Sequence, residues 1–204
     1  MKFRPSWIAW GLGAVCAAFA GFWVAHQVDR PPLELASGTW FPTPRPIGEL
    51  ALTAQSGNPF TMRDLTGHPT LVFFGFTHCP DVCPTTLAML ARIKKAAALP
   101  DLRVLFVSVD PARDTPAVLA PYVRAFDPDF IGATGDAREI GRLAQKFGVA
   151  VSRIDLPGGD YMMDHSAAVF LVDRHAQIVA VFTPPFEAPP FAADLKRIDA
   201  RLRG

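Results

Sequence analysis

Cysteine is scarce in this chain, three among 204 residues. That is too few for a disulfide framework, so a hydrophobic core must hold the fold. Charge is scarce as well: charged residues make up 19% and apolar ones 50%, a balance that excludes disorder as a description of the whole chain. Neither sign of charge prevails, with 20 Lys and Arg against 19 Asp and Glu and a formal charge of +1. No basic run stands out, so there is no electrostatic footprint for nucleic acid, and none is expected as a partner. No internal repeat is visible.

One long apolar run is present. From Trp7 to Ala25 there is no charged residue. As a helix this stretch would rise about 28 Å, close to the hydrocarbon thickness of a bilayer. Trp7, Trp10 and Trp23 lie toward its ends, where indole rings favour the headgroup region. The run predicts a transmembrane anchor over residues 7–26. Lys2 and Arg4 precede it while Asp29 and Arg30 cancel after it, which puts residues 1–6 in the cytoplasm and the body on the far side. A cleaved signal peptide ending near Ala18 or Ala20 is the rival reading; the continuation through Phe22, Trp23 and Val24 speaks against it. Cys16 lies mid-span and reads as an apolar filler. Over residues 27–46, prolines 31, 32, 42, 44 and 46 predict a stiff, extended linker.

Residues 47–204 alternate strand and helix patterns. A hairpin is expected through 49–55 and 59–65, with a turn at 56–58. The apolar runs 70–77 and 102–110 read as strands buried on both faces. Helices are expected over 85–98 and 115–126, the latter with Pro116 in its first turn. A short strand at 130–134 leads to a helix capped by Asp136, with Glu139 placed as in a capping box and Gly148 ending it. Strands at 149–155, 167–173 and 177–183 precede a C-terminal amphipathic helix over 191–202. This order predicts an α/β fold, a mixed sheet with helices on both faces.

The segment 75–84, GFTHCPDVCP, follows a buried strand and precedes a helix, the end of a parallel strand where open α/β sheets place their sites. Cys79 and Cys83 are four apart, so on a helix both sulfurs would share a face. Two sulfurs on one turn can chelate a metal or close a disulfide, and a helix N-terminus favours the thiolate both need. Two buried structural cysteines are the bland alternative, which Pro80 and Pro84 at the pair make hard to sustain. A third ligand would point to metal, and the candidate is His165, expected on a loop ahead of strand 167–173. His26, His68 and His175 read as solvated or hydrogen-bonded side chains, and His78 as a second choice of ligand. Asp164 could orient the His165 ring or be a surface acid. Met162 and Met163 are soft sulfurs in the same loop, though methionine more often fills a core. Two thiolates and an imidazole suit Cu(I), whereas zinc normally takes a fourth ligand. Asp110 is expected at the same sheet end as the cysteines. Asp114 or Thr115 is expected to cap the next helix, and Asp81 to serve a helix start or a docking partner.

Four segments in order, FGFTHCPDVCPTTL (74–87), VSVDPARDTP (107–116), FIGATG (130–135) and YMMDHSAAVFLVD (161–173), resemble the SCO/SenC family of copper-binding, thioredoxin-like proteins. That family helps assemble the dinuclear copper centre of cytochrome c oxidase. The resemblance implies a thioredoxin-like fold with Cys79, Cys83 and His165 as ligands of copper, as Cu(I) and also Cu(II). It implies as partners the copper-bearing oxidase subunit, a copper donor protein and a thiol reductant. No Arg- and Ser-rich transit segment precedes the anchor. The expected setting is therefore a bacterial inner membrane, crossed once, with the C-terminal domain in the periplasm. Two roles stand side by side: a metallochaperone, and a thiol–disulfide oxidoreductase using Cys79 and Cys83 as its redox-active pair. The three-residue spacing and the absence of a proline just before 167–173 set the chain apart from a general thioredoxin. A peroxide-reducing enzyme of this fold would have no need of His165.

Overall fold

Thr70 to Gly75 are six consecutive buried residues, and they form β4 (Thr70–Gly75) in the middle of the main sheet. The structure, a computed structural model, describes residues 33–203 and, ahead of them, residues 16, 18, 19, 21 and 23. The anchor expected over 7–26 falls almost wholly outside the described residues. Among the described residues no helix is long and apolar enough to cross a membrane. The chain divides into two units, Met1–Leu33 and Glu34–Gly204. Every strand among the described residues lies in the second unit.

The elements of that unit run β1 (Gly38–Pro46), β2 (Ala51–Ala54), β3 (Pro59–Thr61), α1 (Met62–Leu65), β4, α2 (Val82–Ala97), β5 (Arg103–Ser108), α3 (Pro116–Arg124), β6 (Ile131–Thr134) and α4 (Ala137–Phe147). They continue with β7 (Val151–Asp155), β8 (Tyr161–His165), β9 (Val169–Val172), β10 (Gln177–Phe182) and α5 (Ala188–Arg203). Eight strands form one sheet in the order β1-β10-β9-β4-β5-β6-β2-β3, and β7 and β8 form a separate two-stranded sheet. β4, β5 and β6 are parallel; β9 and β10 add antiparallel on the other side of β4. The side chains of adjacent β4 residues point to opposite faces. Phe73 is level with Phe106, whose ring meets Tyr122 of α3 at 5.6 Å. Phe74 instead meets Phe147 of α4 at 5.2 Å. Helices therefore cover both faces, with α5 packed along α2. Each fully buried phenylalanine contributes about 2–3 kcal/mol of apolar transfer, so these rings add substantially to the aliphatic core around them.

Three local expectations are corrected. Residues 38–46, placed in the linker on their prolines, are strand β1, antiparallel to β10 with Gly38 opposite Phe182 and Pro46 opposite Gln177. An edge strand needs only half its backbone donors, and Pro42 and Pro44 fall where the register shifts between Trp40 and Arg45. Gly38 is required there, because a Cβ would lie 2.5 Å from the Phe182 ring. Just upstream, the buried Asp194 carboxylate of α5 accepts from Ala36 N (3.0 Å), Ser37 N (2.7 Å) and Ser37 Oγ (2.8 Å). Second, residues 161–165, expected as loop, are β8, paired with β7 from Val151–His165 to Asp155–Tyr161. Third, Asp136 caps α4 through Arg138 N, but Glu139 pairs with Arg142 instead of closing a capping box.

Candidate metal centre

β4 ends at Gly75, and the cysteine loop starts there because nothing larger fits. A Cβ at residue 75 would lie 2.6 Å from the Phe106 ring and 2.9 Å from Cys83 Sγ. Cys83 takes up the room the glycine leaves and is fully buried. α2 begins at Val82, so only Cys83 lies on it; Cys79 sits in the loop ahead, half-buried, rather than on the same helical turn. The two are still joined: the Cys83 backbone N–H donates to Cys79 Sγ at 3.4 Å, and Cys79 N–H donates to Phe76 O at 3.3 Å. Both thiols are free.

His165, the last residue of β8, closes on this loop with Nε2 3.5 Å from Cys83 Sγ. Its Nδ1 lies 3.0 Å from Ser166 O, a contact that assigns the ring proton to Nδ1 and leaves the Nε2 lone pair facing the sulfur. Phe73 and Phe76 wall the imidazole edge-on, with centroids at 6.1 and 5.9 Å. Burial holds the His165 pKa below the usual histidine value, against the opposing Ser166 bond and Asp164 charge. Burial pushes the Cys83 thiol well up, more strongly than a backbone hydrogen bond at Phe76 lowers it. The resting pair is thus a neutral thiol donating to a neutral imidazole, and a soft cation entering there must displace the thiol proton.

Behind the pair lies a polar framework whose function the sequence did not disclose. Asp114 does not cap α3; Thr115 does, accepting from Val118 N. The buried Asp114 carboxylate accepts instead from Thr77 N (3.0 Å), Thr77 Oγ1 (2.5 Å) and Ser108 Oγ (2.6 Å), fastening the loop that leads to Cys79. Asp110 N–H donates to Ser108 Oγ at 3.0 Å. The Asp110 carboxylate, also buried, pairs with Arg113 and accepts from Tyr161 Oη at 2.8 Å. Burial and that bond push the Tyr161 pKa up, so the hydroxyl keeps its proton and donates. One signal was available: two acids either side of a Pro-Ala-Arg turn, directly after a largely apolar strand, have few solvent routes.

The other candidates disperse. His78 is 53% exposed and turns to Thr77 Oγ1 (3.2 Å) and Asp114 (3.9 Å) rather than to the sulfurs. Asp164 is exposed and bears on His165 through charge alone, the ring proton going to Ser166. Met162 and Met163 are half-buried along β8. Asp81 is the residue before α2, and its carboxylate accepts from Thr85 Oγ1. Among the described residues no three His, Cys, Asp or Glu side chains are already gathered around one point. The geometry gathers Cys83 with His165, and links Cys79 to them through one backbone donor.

A mixed sheet of this order, with its reactive loop between a central parallel strand and the following helix, defines a thioredoxin-like protein, here with an imidazole brought to the dithiol. Within that class the chain belongs to the SCO1/SenC family, whose profile matches residues 42–199. It is 37% identical over 139 residues to the SCO2-like protein of Rickettsia felis, covering 66% of this chain and 68% of that one. It is 37% identical over 193 residues to the human mitochondrial SCO1 homolog, covering 88% of this chain and 63% of that one. Among solved structures, Bradyrhizobium japonicum ScoI with copper bound matches at TM-score 0.68 and 41% identity, over 74% of this chain and 97% of that one. Arabidopsis thaliana ScoI with copper bound matches at TM-score 0.72 and 30% identity, over 76% and 98%.

Proposed function

We propose that this protein is a membrane-anchored copper metallochaperone. Copper is its cargo, taken up by Cys79, Cys83 and His165 and handed to the dinuclear copper centre of cytochrome c oxidase during assembly. The observation that carries the reading is the unprotonated Nε2 of His165 facing the buried Cys83 sulfur at 3.5 Å. A redox dithiol needs no such imidazole. Uptake of Cu(I) replaces the Cys83 S–H bond with a sulfur–copper bond and releases the proton to solvent. Hand-over is ligand exchange: acceptor ligands form bonds to the ion as the imidazole and sulfurs leave. Copper in the solved relatives supports the choice of metal. The apolar run at 7–26 supports tethering to a bacterial inner membrane with this domain in the periplasm. A donor protein and a thiol reductant would load the site.

One observation favours a second role on the same partner. Cys79 is half-buried and Cys83 wholly buried, the arrangement of an attacking and a resolving sulfur. Cys79 thiolate would attack an oxidised acceptor's disulfide, and Cys83 would then displace the mixed disulfide. The acceptor gains two thiols while Cys79 and Cys83 become a disulfide. The decisive test is complementation of a deletion strain, scored as oxidase activity. Rescue of the His165→Ala strain by added copper supports delivery. Full function of His165→Ala without copper, with loss in both cysteine variants, would leave only the redox role.

A further inference from the structure

The hairpin of β7 and β8 carries His165, yet it pairs with no strand of the eight-stranded sheet. Four of the five β7 residues are exposed, and Ile154 is 49% exposed. The short connection from His165 to β9 and the hairpin's side-chain contacts therefore decide where the imidazole sits. β8 is held at both ends: His165 meets Cys83 at one, and Tyr161 meets the body at the other. Tyr161 Oη donates to the buried Asp110 carboxylate. The Arg113 guanidinium lies 3.7 Å from the Tyr161 ring centroid and that of Arg153, from β7, lies 3.8 Å from it. Both guanidiniums lie over the ring at cation–π distance, so the ring is held by one group from the body and one from β7. Arg113 also reaches Asp160 at 3.2 Å. From Asp110 the hydrogen bonds run on through Ser108 and Asp114 to Thr77, two residues before Cys79. One continuous network therefore grips both segments that carry the sulfurs and the imidazole.

We infer that Tyr161 is a positioning residue: its bond to Asp110, with its ring held by Arg113 and Arg153, keeps the hairpin docked so that His165 Nε2 stays within reach of the cysteine sulfurs, and so sets how fast copper leaves. The inference rests on the reading of His165 as a copper ligand. When the clasp opens, the copper–nitrogen bond breaks without any change in copper oxidation state, and the ion remains on two sulfurs for an incoming ligand to take.

The test uses the reduced full-length chain loaded with one equivalent of Cu(I) and follows transfer to a chromophoric Cu(I) chelator. Tyr161→Phe keeps the clasped ring and loses only the hydroxyl. It should release copper about tenfold faster, the effect of one hydrogen bond to a carboxylate on the docked population. Arg153→Met, at an exposed position, should accelerate release less, in the same direction, without touching the buried Asp110–Arg113 pair. The discriminating variant is Tyr161→Phe combined with His165→Ala: release should match that of His165→Ala alone, because the clasp acts only through the imidazole. Unchanged release in both Tyr161→Phe and Arg153→Met overturns the inference, as does an equal further acceleration in the His165→Ala background. In those cases a faster-releasing His165→Ala protein still leaves the three-ligand reading standing. Wild-type release by His165→Ala would instead remove that reading, and the clasp with it.

Discussion

The cysteine loop and the histidine hairpin meet at one point but are built in opposite ways. The loop grows out of the central parallel strand, is packed against Phe106 through the missing Cβ of Gly75, and is fastened by a buried carboxylate. The hairpin is a two-stranded appendage outside the main sheet, exposed along β7. A two-stranded hairpin is marginal on its own, so its position follows its docking contacts. One half of the site is therefore fixed with the fold, and the other half depends on docking contacts outside the main sheet. Under the proposed chaperone function, this division puts retention and release on separate elements.

The comparison can be broken most severely at Gly75. Gly75→Ala forces a methyl within 2.6 Å of Phe106 and 2.9 Å of Cys83 Sγ. It should cost about 2–3 kcal/mol in urea unfolding and remove most copper binding with it. Next, Asp114→Asn removes the charge from an acceptor of three donors, one of them the Thr77 amide. A loss of about 2 kcal/mol is expected, again read by urea unfolding, together with weaker binding. His165→Ala belongs to the other class. Copper affinity should fall by about 10- to 100-fold in chelator competition while the unfolding midpoint barely moves. A large stability loss there would erase the distinction between the two halves.

The remaining effects lie in pH dependence. Burial raises the Cys83 thiol pKa, so copper bound there as proposed would displace its proton. Apparent affinity should weaken by about tenfold for each unit that pH falls, per proton displaced. His165 acts on the apo fold in the same pH direction. Its folded pKa lies below the ordinary histidine value of 6.5, so below that pH the unfolded chain binds a proton that the folded chain refuses. Stability should therefore decline as pH drops from 6.5 through the lower folded value. His165→Asn should lose that increment, which urea unfolding on the acid and alkaline sides of this window would register.

What was legible in the sequence followed from strong local signals. The apolar runs of β4 and β5 announced buried strands, and the Cys79–Cys83 pair between strand and helix marked the candidate site. Asp136 and Gly148 marked the ends of α4 through short-range chemistry that needs no tertiary partner. The misses share a physical cause, which is that long-range pairing overrode the local reading. β1 looked like linker because its prolines forbid central strands but not edges. β8 looked like loop because a half-exposed five-residue strand has little alternation to show. The roles of Asp110 and Asp114 stayed hidden because their partners, Tyr161 and Thr77, are 51 and 37 residues away. His165 was singled out from its place before an apolar strand, but its proton assignment depends on Ser166 O, a backbone atom no pattern reveals.

Gly38 opposes Phe182, which lies level with Val169 and through it with Phe73, next to the carboxyl end of β4. The chain thus enters the domain at the same end of the sheet as the cysteine loop, three strands or roughly 14 Å to the side. Asp194 ties off Ala36 and Ser37 at that spot. That tie fixes the approach of residues 36 and 37 to β1, at the end of the sheet where the cysteine loop begins.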